Sequence, residues 1–417
     1  MLALSGPPPA RLVHHALLGH HRSHCALWRA PRLYGLDMAE HPLRALRVDH
    51  VGSLLRPKAL IDAFRAYGRK AIGAEALEEA IDNAIRAVVA RQEAIGLPLV
   101  SDGEFRRLNW QVSFSHVEGW DQWEGAWKNF LANPANAYPG EQPLTRGQDA
   151  VETFKAPATA PLSLRDNFPL REFRFVQSVA KAPAKATLMG PDRVLQMCDL
   201  AASAPHYMSA EAFLADVVAI ERTMVEELVA AGCTYVQLDE PSYTGYVDPP
   251  TLRRMRLGGA DPMANLRRAI SASNSVIAGH RAGAIFAIHI CRGNRASMWH
   301  REGSYAPIAE ELFATLAFDR LLLEYDTERA GGFEPLRFVP KGPIVVLGLI
   351  TTKTGTLESI DALRRRVDEA ARFIDADRLA LSPQCGFASG IAGNHLSEDD
   401  QWRKLDLMLE TARRVWG

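Results

Sequence analysis

The chain has 417 residues, 47% hydrophobic and 23% charged, with a formal net charge of -1 at pH 7. That balance is ordinary for a soluble enzyme and gives no electrostatic case for binding nucleic acid or an anionic membrane. No stretch approaches the roughly 18 uninterrupted apolar residues of a membrane-spanning helix, and the five cysteines are odd in number and scattered, which argues against a disulfide framework and for a reducing cytosol.

In chain order, the first 37 residues stand apart. They carry Arg11, Arg22, Arg29 and Arg32, a cluster of histidines and three consecutive prolines, with no acidic residue before Asp37. An organelle-type targeting segment and an upstream extension with the start at Met38 both fit. The second is preferred, because Met38 opens directly onto the first folded segment; residues 1–37 are read as unstructured and 38–417 as one domain.

From residue 46 onward, strand-like runs alternate with helical patterns. The runs predict strands over Leu46–His50, Leu97–Ser101, Phe173–Val179, Ala186–Met189, Tyr235–Asp239, Ala284–His289, Leu321–Glu324, Ile344–Leu349 and Arg378–Leu381. Apolar positions recurring at three and four residues predict long helices over Glu75–Ile95 and Ala210–Ala231. Such alternation implies an α/β fold with a parallel sheet. About eight repeats, with polar residues gathered just after the strands, predict a (β/α)8 TIM barrel with its site at the C-terminal face. Residues 120–170 break the rhythm with Trp120, Trp123, Trp127, several prolines and a polar run over 147–153. They are read as an insertion after an early strand, over the barrel mouth or between subunits of a homo-oligomer, with the tryptophans as buried anchors. Ser397 caps a closing helix that runs to Trp416.

Metal-competent side chains sit at or just past three of the late strands. His289 and Cys291 are two apart and share a strand face. Glu324 ends an apolar run, where an unpaired carboxylate is expensive to bury. Cys385 lies in the turn-forming Ser382-Pro-Gln-Cys-Gly386. A lone cysteine or histidine at a strand end is usually structural, as Cys198 and Cys233 are read. Four such groups on strands of one barrel can converge, and one imidazole, two thiolates and a carboxylate make a tetrahedral zinc site. A thiolate-rich Zn2+ site suits chemistry on a substrate thiol. A second polar group follows earlier strands: Asp49 to Ser53, Ser101 to Glu104, and Gln237 to Pro241. Glu104, Asp239 and Glu240 are of the type that binds a substrate ammonium group, while Gly52 and Gly103 permit close backbone approach. An acidic mouth beside a metal points to a small zwitterion such as an amino acid.

In this order, Val51-Gly52-Ser53, Asp102-Gly103-Glu104, Gly190-Pro191, Gln237 to Pro241, His289-Ile290-Cys291, Glu324 and Cys385-Gly386 resemble the C-terminal catalytic barrel of the cobalamin-independent methionine synthase family. The likeness spans about residues 45 to 417. It implies zinc held by His289, Cys291, Glu324 and Cys385, homocysteine as the thiol, Glu104 and Asp239 on its amino group, and backbone at Val51, Gly52 and Ser53 on its carboxylate. The reaction implied is methyl transfer to that thiol, giving methionine. Three positions depart from the family, all on the methyl-donor side. The folate-stacking Trp appears as Met197, a folate-binding Glu as Gly245, and a proton-donating His as Lys353, which is assigned a proton transfer or an anion contact. The acceptor half is thus retained, and the donor is methyltetrahydrofolate or another methyl compound. Two other readings are a zinc enzyme alkylating a different small thiol, and a non-catalytic barrel with a structural zinc.

Overall fold

The computed structural model describes residues 41–120, 155–280 and 283–417. The extension read over 1–37, the start at Met38, Trp123, Trp127 and the polar run 147–153 lie outside the described residues.

Helices α1 (Lys58–Gly68) and α2 (Ala74–Ala94) come first, then a short antiparallel pair, β1 (Val117–Glu118) and β2 (Ser163–Leu164). The chain continues as α3 (Phe168–Val179), β3 (Ala186–Met189), α4 (Pro191–Met197), α5 (Ala210–Ala230) and β4 (Tyr235–Asp239). There follow α6 (Pro249–Leu257), α7 (Pro262–Ile277), β5 (Ile285–Ile290), α8 (Ala309–Thr315), β6 (Arg320–Glu324) and β7 (Ile344–Ile350), then α9 (Ile360–Ala370), β8 (Leu379–Pro383) and α10 (Glu398–Trp416). Strands β3 to β8 pair in sequence order as a six-stranded parallel sheet. Ser397 caps α10 in a reciprocal capping box with Asp400.

Both faces of this sheet are buried, so its strands read as continuous apolar runs. The period of two still separates the faces. Tyr235, Ile285, Ala287, Leu322, Val346 and Ala380 form one cluster inside the curve of the sheet. Val236, Leu238, Phe286, Ile288, Leu321, Leu323, Val345, Leu347, Leu379 and Leu381 belong to the larger core beneath the helices. Continuing along the inner face in steps of two brings Asp239, His289 and Glu324 to the C-terminal ends of their strands, on that same face.

The segments predicted as the first two strands appear as single parallel bridges. Val48 pairs with Leu381 of β8, and Val100 with Ala184 just before β3. Among the described residues no ladder joins these two segments to each other; the Ser101 hydroxyl donates to Gly52 O (2.6 Å) and the His50 ring meets Leu99 O (3.0 Å) instead. Phe173–Val179, predicted as a strand, is the second half of α3. Asn167 caps it, Pro169 sits in its first turn, and Phe173 and Val176 face the core three residues apart. The reading failed because Phe173, Phe175 and Val176 mimic a short buried strand, which an apolar run cannot distinguish from a buried helix.

A charged knot ties the first segment to the sheet. Asp49, entirely buried, accepts from Lys185 Nζ (2.9 Å), Arg320 Nε (3.1 Å) and the Tyr235 hydroxyl. Asp49 is therefore consumed inside the fold and does not face the mouth. Trp120 is buried, its indole donating to Ala156 O (2.9 Å), as an anchor should.

Candidate metal and substrate site

The ligand atoms of His289, Cys291 and Cys385 lie within 4.8 Å of one another, all three residues buried. Among the described residues this is the group of metal-competent side chains that forms. The two sulfurs are 3.9 Å apart, although their residues are 94 apart in the chain. The inner face of β5 supplies His289 and then Cys291; the turn after β8 supplies Cys385. Gly348 lets that turn approach, because a Cβ there would lie 2.8 Å from Gln384 Cα and 2.9 Å from Leu323 O.

His289 Nδ1 lies 3.1 Å from Asp239 Oδ1. If Nδ1 carries the proton it donates to that carboxylate and leaves Nε2 with its lone pair for a ligand, the usual pairing behind a metal-binding histidine. Burial pulls the imidazole pKa down, but Cys291 and Asp239 outweigh it and hold the ring up at about 10. The Cys291 thiol is pushed up by Cys385 against it and by burial. A metal ion reverses both, since it takes nitrogen and sulfur ligands deprotonated.

Glu324 stands outside the three-residue group. Its Oε2 accepts from the backbone N–H of Arg292 (2.6 Å), the residue after Cys291, while its buried Oε1 makes no hydrogen bond among the described residues and faces the Arg329 guanidinium at 3.9 Å. Two thiols and an imidazole gathered in one buried group are the donor chemistry zinc takes, so these residues fit that ion, with Glu324 the carboxylate in register at the end of the next strand.

The substrate-binding candidates converge on the same end of the sheet. The carbonyls of Val51, Gly52 and Ser53 are occupied by Gln237 Nε2 (2.7 Å), Ser101 Oγ (2.6 Å) and Phe387 N (2.9 Å). Their amides make no hydrogen bond among the described residues, so three consecutive N–H groups remain for an anion. Ser53 touches the cysteine turn: a Cβ on Gly386 would lie 1.8 Å from Ser53 Oγ. Glu104 is buried with φ +60°, its N–H donating to Asp102 Oδ1 (2.8 Å). Glu104 Oε1 accepts from Thr187 Oγ1 (3.2 Å) and Arg107 (3.3 Å), and its Oε2 has no partner among the described residues. Burial raises the Glu104 carboxyl above its ordinary range; Arg107 opposes the rise and Asp239 adds to it.

Glu240 turns away from this mouth. It accepts from Asp192 N (3.1 Å) and from the Ser242 hydroxyl, and burial with the nearby Asp192 carboxylate pushes it up to about 8. Lys353 is buried, and its ammonium has no hydrogen-bond partner among the described residues. Its neighbour Thr352 binds Gln384 and Gly386 beside Cys385, and Asn294 beyond Cys291. Cys233 donates to Tyr235 O (3.2 Å) and Cys198 packs against Ser203 (3.4 Å), both away from the three-residue group, as structural cysteines. Reading the sequence missed Arg107, Thr187 and Glu172, which hold Glu104 in place; nothing local to Arg107 signals partners 65 and 80 residues away.

Residues 150–413 match the family described as cobalamin-independent synthase, catalytic domain. The uncharacterized protein YxjH of Bacillus subtilis (strain 168) is 35% identical over 372 residues, covering 89% of this chain and 94% of that one. Methionine synthase of Pyrococcus abyssi is 22% identical over 342 residues, 81% of this chain and 84% of its own. A Listeria monocytogenes protein, solved as a candidate vitamin-B12-independent methionine synthase, superposes with a TM-score of 0.68 at 26% identity, covering 89% of this chain and 98% of that one.

Proposed function

Because this chain belongs to the cobalamin-independent synthase catalytic-domain family, we propose that it transfers a methyl group to the thiol of L-homocysteine, giving methionine, with a zinc ion held by His289, Cys291 and Cys385 and completed by Glu324. The observation that carries this reading is the placement of an imidazole and two thiols within 4.8 Å, with Asp239 holding the imidazole and lying in electrostatic reach of Glu104, whose buried Oε2 has no hydrogen-bond partner among the described residues. The segments at Val48 and Val100 are read as the first two strands of a closed (β/α)8 barrel, within the unit His41–Gly417 that carries every residue named.

When bound, the ion would supply Lewis acidity that lowers the pKa of an incoming thiol enough for it to release its proton to solvent at neutral pH. The chain's own residues fix the rest of the acceptor. The free amides of Val51, Gly52 and Ser53 receive its carboxylate, and Glu104 and Asp239 its ammonium group. The S–H bond breaks, an S–CH3 bond forms as the bond between the methyl group and the donor breaks, and the donor leaves with that electron pair and gains a proton. Lys353, beside the cysteine turn, is the residue assigned to that proton or to an anionic part of the donor.

A second reading keeps the thiol chemistry and changes the partner: alkyl transfer to another small thiol from a non-folate donor. Met197 favours a non-folate donor, since its side chain is fully buried in the core and offers no face for a flat ring to stack on. No helix among the described residues is long and apolar enough to cross a membrane. The four described cysteines are free, which suits the cytosol.

The test is zinc content together with calorimetric titration of L-homocysteine into the wild type and Cys385→Ala. Stoichiometric zinc and proton-releasing binding, both lost in the variant, are expected. Zinc without homocysteine binding would move the acceptor to another thiol, and absence of zinc from the wild type would overturn the chemistry.

A further inference from the structure

The wall of the sheet has a gap beside Glu104, and one arginine fills it. Lys185 N–H bonds Val100 O (2.9 Å), so the same edge of β3, two residues on, presents the Thr187 carbonyl where the neighbouring segment no longer runs alongside. Arg107 NH2 donates to that carbonyl (2.8 Å) in place of a strand. The same guanidinium grips Glu172 of α3 with Nε (2.9 and 3.1 Å) and NH2 (2.6 Å), and reaches Thr187 Oγ1 (3.0 Å) and Glu104 Oε1 (3.3 Å) with NH1. Arg107, Glu172, Glu104 and Thr187 are all buried, and they line one recess with Gly52 and Asp102.

The charges in this recess have an order. Glu172 takes the short, two-armed bonds from Arg107, whereas Glu104 receives the longest and a hydroxyl from Thr187. Burial pushes the Glu172 carboxyl up to about 7 against the pull of Arg107; with both carboxyls ionised, Arg107 is matched by Glu172 and the Arg107–Glu172–Glu104 set carries one net negative charge. Glu104 holds it with Oε1 anchored and Oε2 unpartnered. Without Glu172 the guanidinium would be matched by Glu104 itself, and a ligand cation would meet a neutral pair. Arg56, the other nearby cation, gives its hydrogen bonds to the carbonyls of Ala388 (2.6 Å), Glu104 (2.7 Å) and Arg107 (3.0 Å), and its charge is faced by the carboxylate of Asp102 as well as by Glu104.

We infer that Arg107 and Glu172 are positioning residues that reserve Glu104 Oε2 for an ammonium group and so make amine-bearing thiols the preferred acceptors. The inference rests on the reading of Glu104 as the ammonium ligand. It accounts for a buried ion pair that touches neither the thiol group nor the donor side, yet shares one oxygen of the acceptor carboxylate.

The experiment measures, on zinc-loaded protein, the dissociation constants of L-homocysteine and of 4-mercaptobutanoate, which lacks only the amino group. The wild type is expected to prefer homocysteine. Glu172→Gln is expected to lower that preference about tenfold or more, the scale of a charge-assisted hydrogen bond, with zinc content and binding of the amine-free thiol unchanged. Thr187→Val, which frees Oε1 from its hydroxyl without altering charge, should lower it less. A preference that survives Glu172→Gln, or an equal weakening of both thiols, would overturn the inference and leave the acceptor reading standing. No preference in the wild type would overturn that reading and the inference together.

Discussion

Glu104 occupies the left-handed region at φ +60°, a conformation that a non-glycine residue adopts at a cost of about 1 kcal/mol or more. The Asx-type bond from its N–H to Asp102 holds it there, and the result is a buried carboxylate with one oxygen anchored and one free. Its pKa is raised, chiefly by burial, with Arg107 and Arg56 opposing and Asp239 and Asp102 adding to the rise. Only the ionised form attracts an ammonium group. Homocysteine affinity should therefore fall as pH drops through a value above the ordinary glutamate range, by about tenfold per pH unit once Glu104 is mostly protonated. Thiol and metal titration contribute to the raw constant, but the ratio to 4-mercaptobutanoate cancels them. A ratio that stays flat from pH 8 to the acid limit of stability would remove Glu104 from the ammonium site.

Strand β7 shows how an element serves a site to which it contributes no ligand. Gly348 faces inward opposite Glu324 in the β6–β7 register, and the next strand shifts register at that point. A Cβ at 348 would press on backbone, not on the end of a flexible side chain. Gly348→Ala should destabilise the fold by about 1–3 kcal/mol and push the Cys385 turn outward, lowering metal affinity beyond what the stability loss explains; denaturation and metal titration on the same sample separate the two. Such effects mark the limit of what the sequence discloses. Strands β3 and β4 and the long helices were legible because their periodicity is local, and His289 and Cys291 because two residues on one strand must share a face. Phe173–Val179 was misread because a buried helix and a buried strand present the same apolar run. Arg107 was invisible because its partners on α3 and β3 become neighbours only when the chain closes. Asp49 was misplaced for a related reason: a carboxylate after a strand looks the same whether it faces a substrate or a buried lysine.

At the scale of the molecule, Asp49 joins the segment before α1 to β3, β4 and β6 at the opposite end of the inner face from the thiols. Its two oxygens are met by Lys185, Arg320 and the Tyr235 hydroxyl, all buried. Burial alone would raise its pKa, but the two cations and the hydroxyl prevail and hold it far below the ordinary aspartate range. The sign follows: a carboxyl depressed in the folded state contributes stability that is present above its unfolded pKa and lost as pH falls through the folded one, so only strong acid releases this knot. Substitution acts at any pH. Asp49→Asn keeps the shape and leaves Lys185 and Arg320 buried without their counter-charge, which should destabilise the protein by about 3–5 kcal/mol and free the first segment from β8, where Val48 makes its single bridge. Because Val51 to Ser53 continue from that segment, loosening it should weaken homocysteine binding more than zinc binding, whose proposed ligands sit at the ends of β5 and β6 and in the turn after β8. Urea denaturation of the metal-free protein measures the first effect, and paired titrations of zinc and L-homocysteine the second. Unchanged stability in Asp49→Asn would mean that the knot is not what holds the first segment to the sheet.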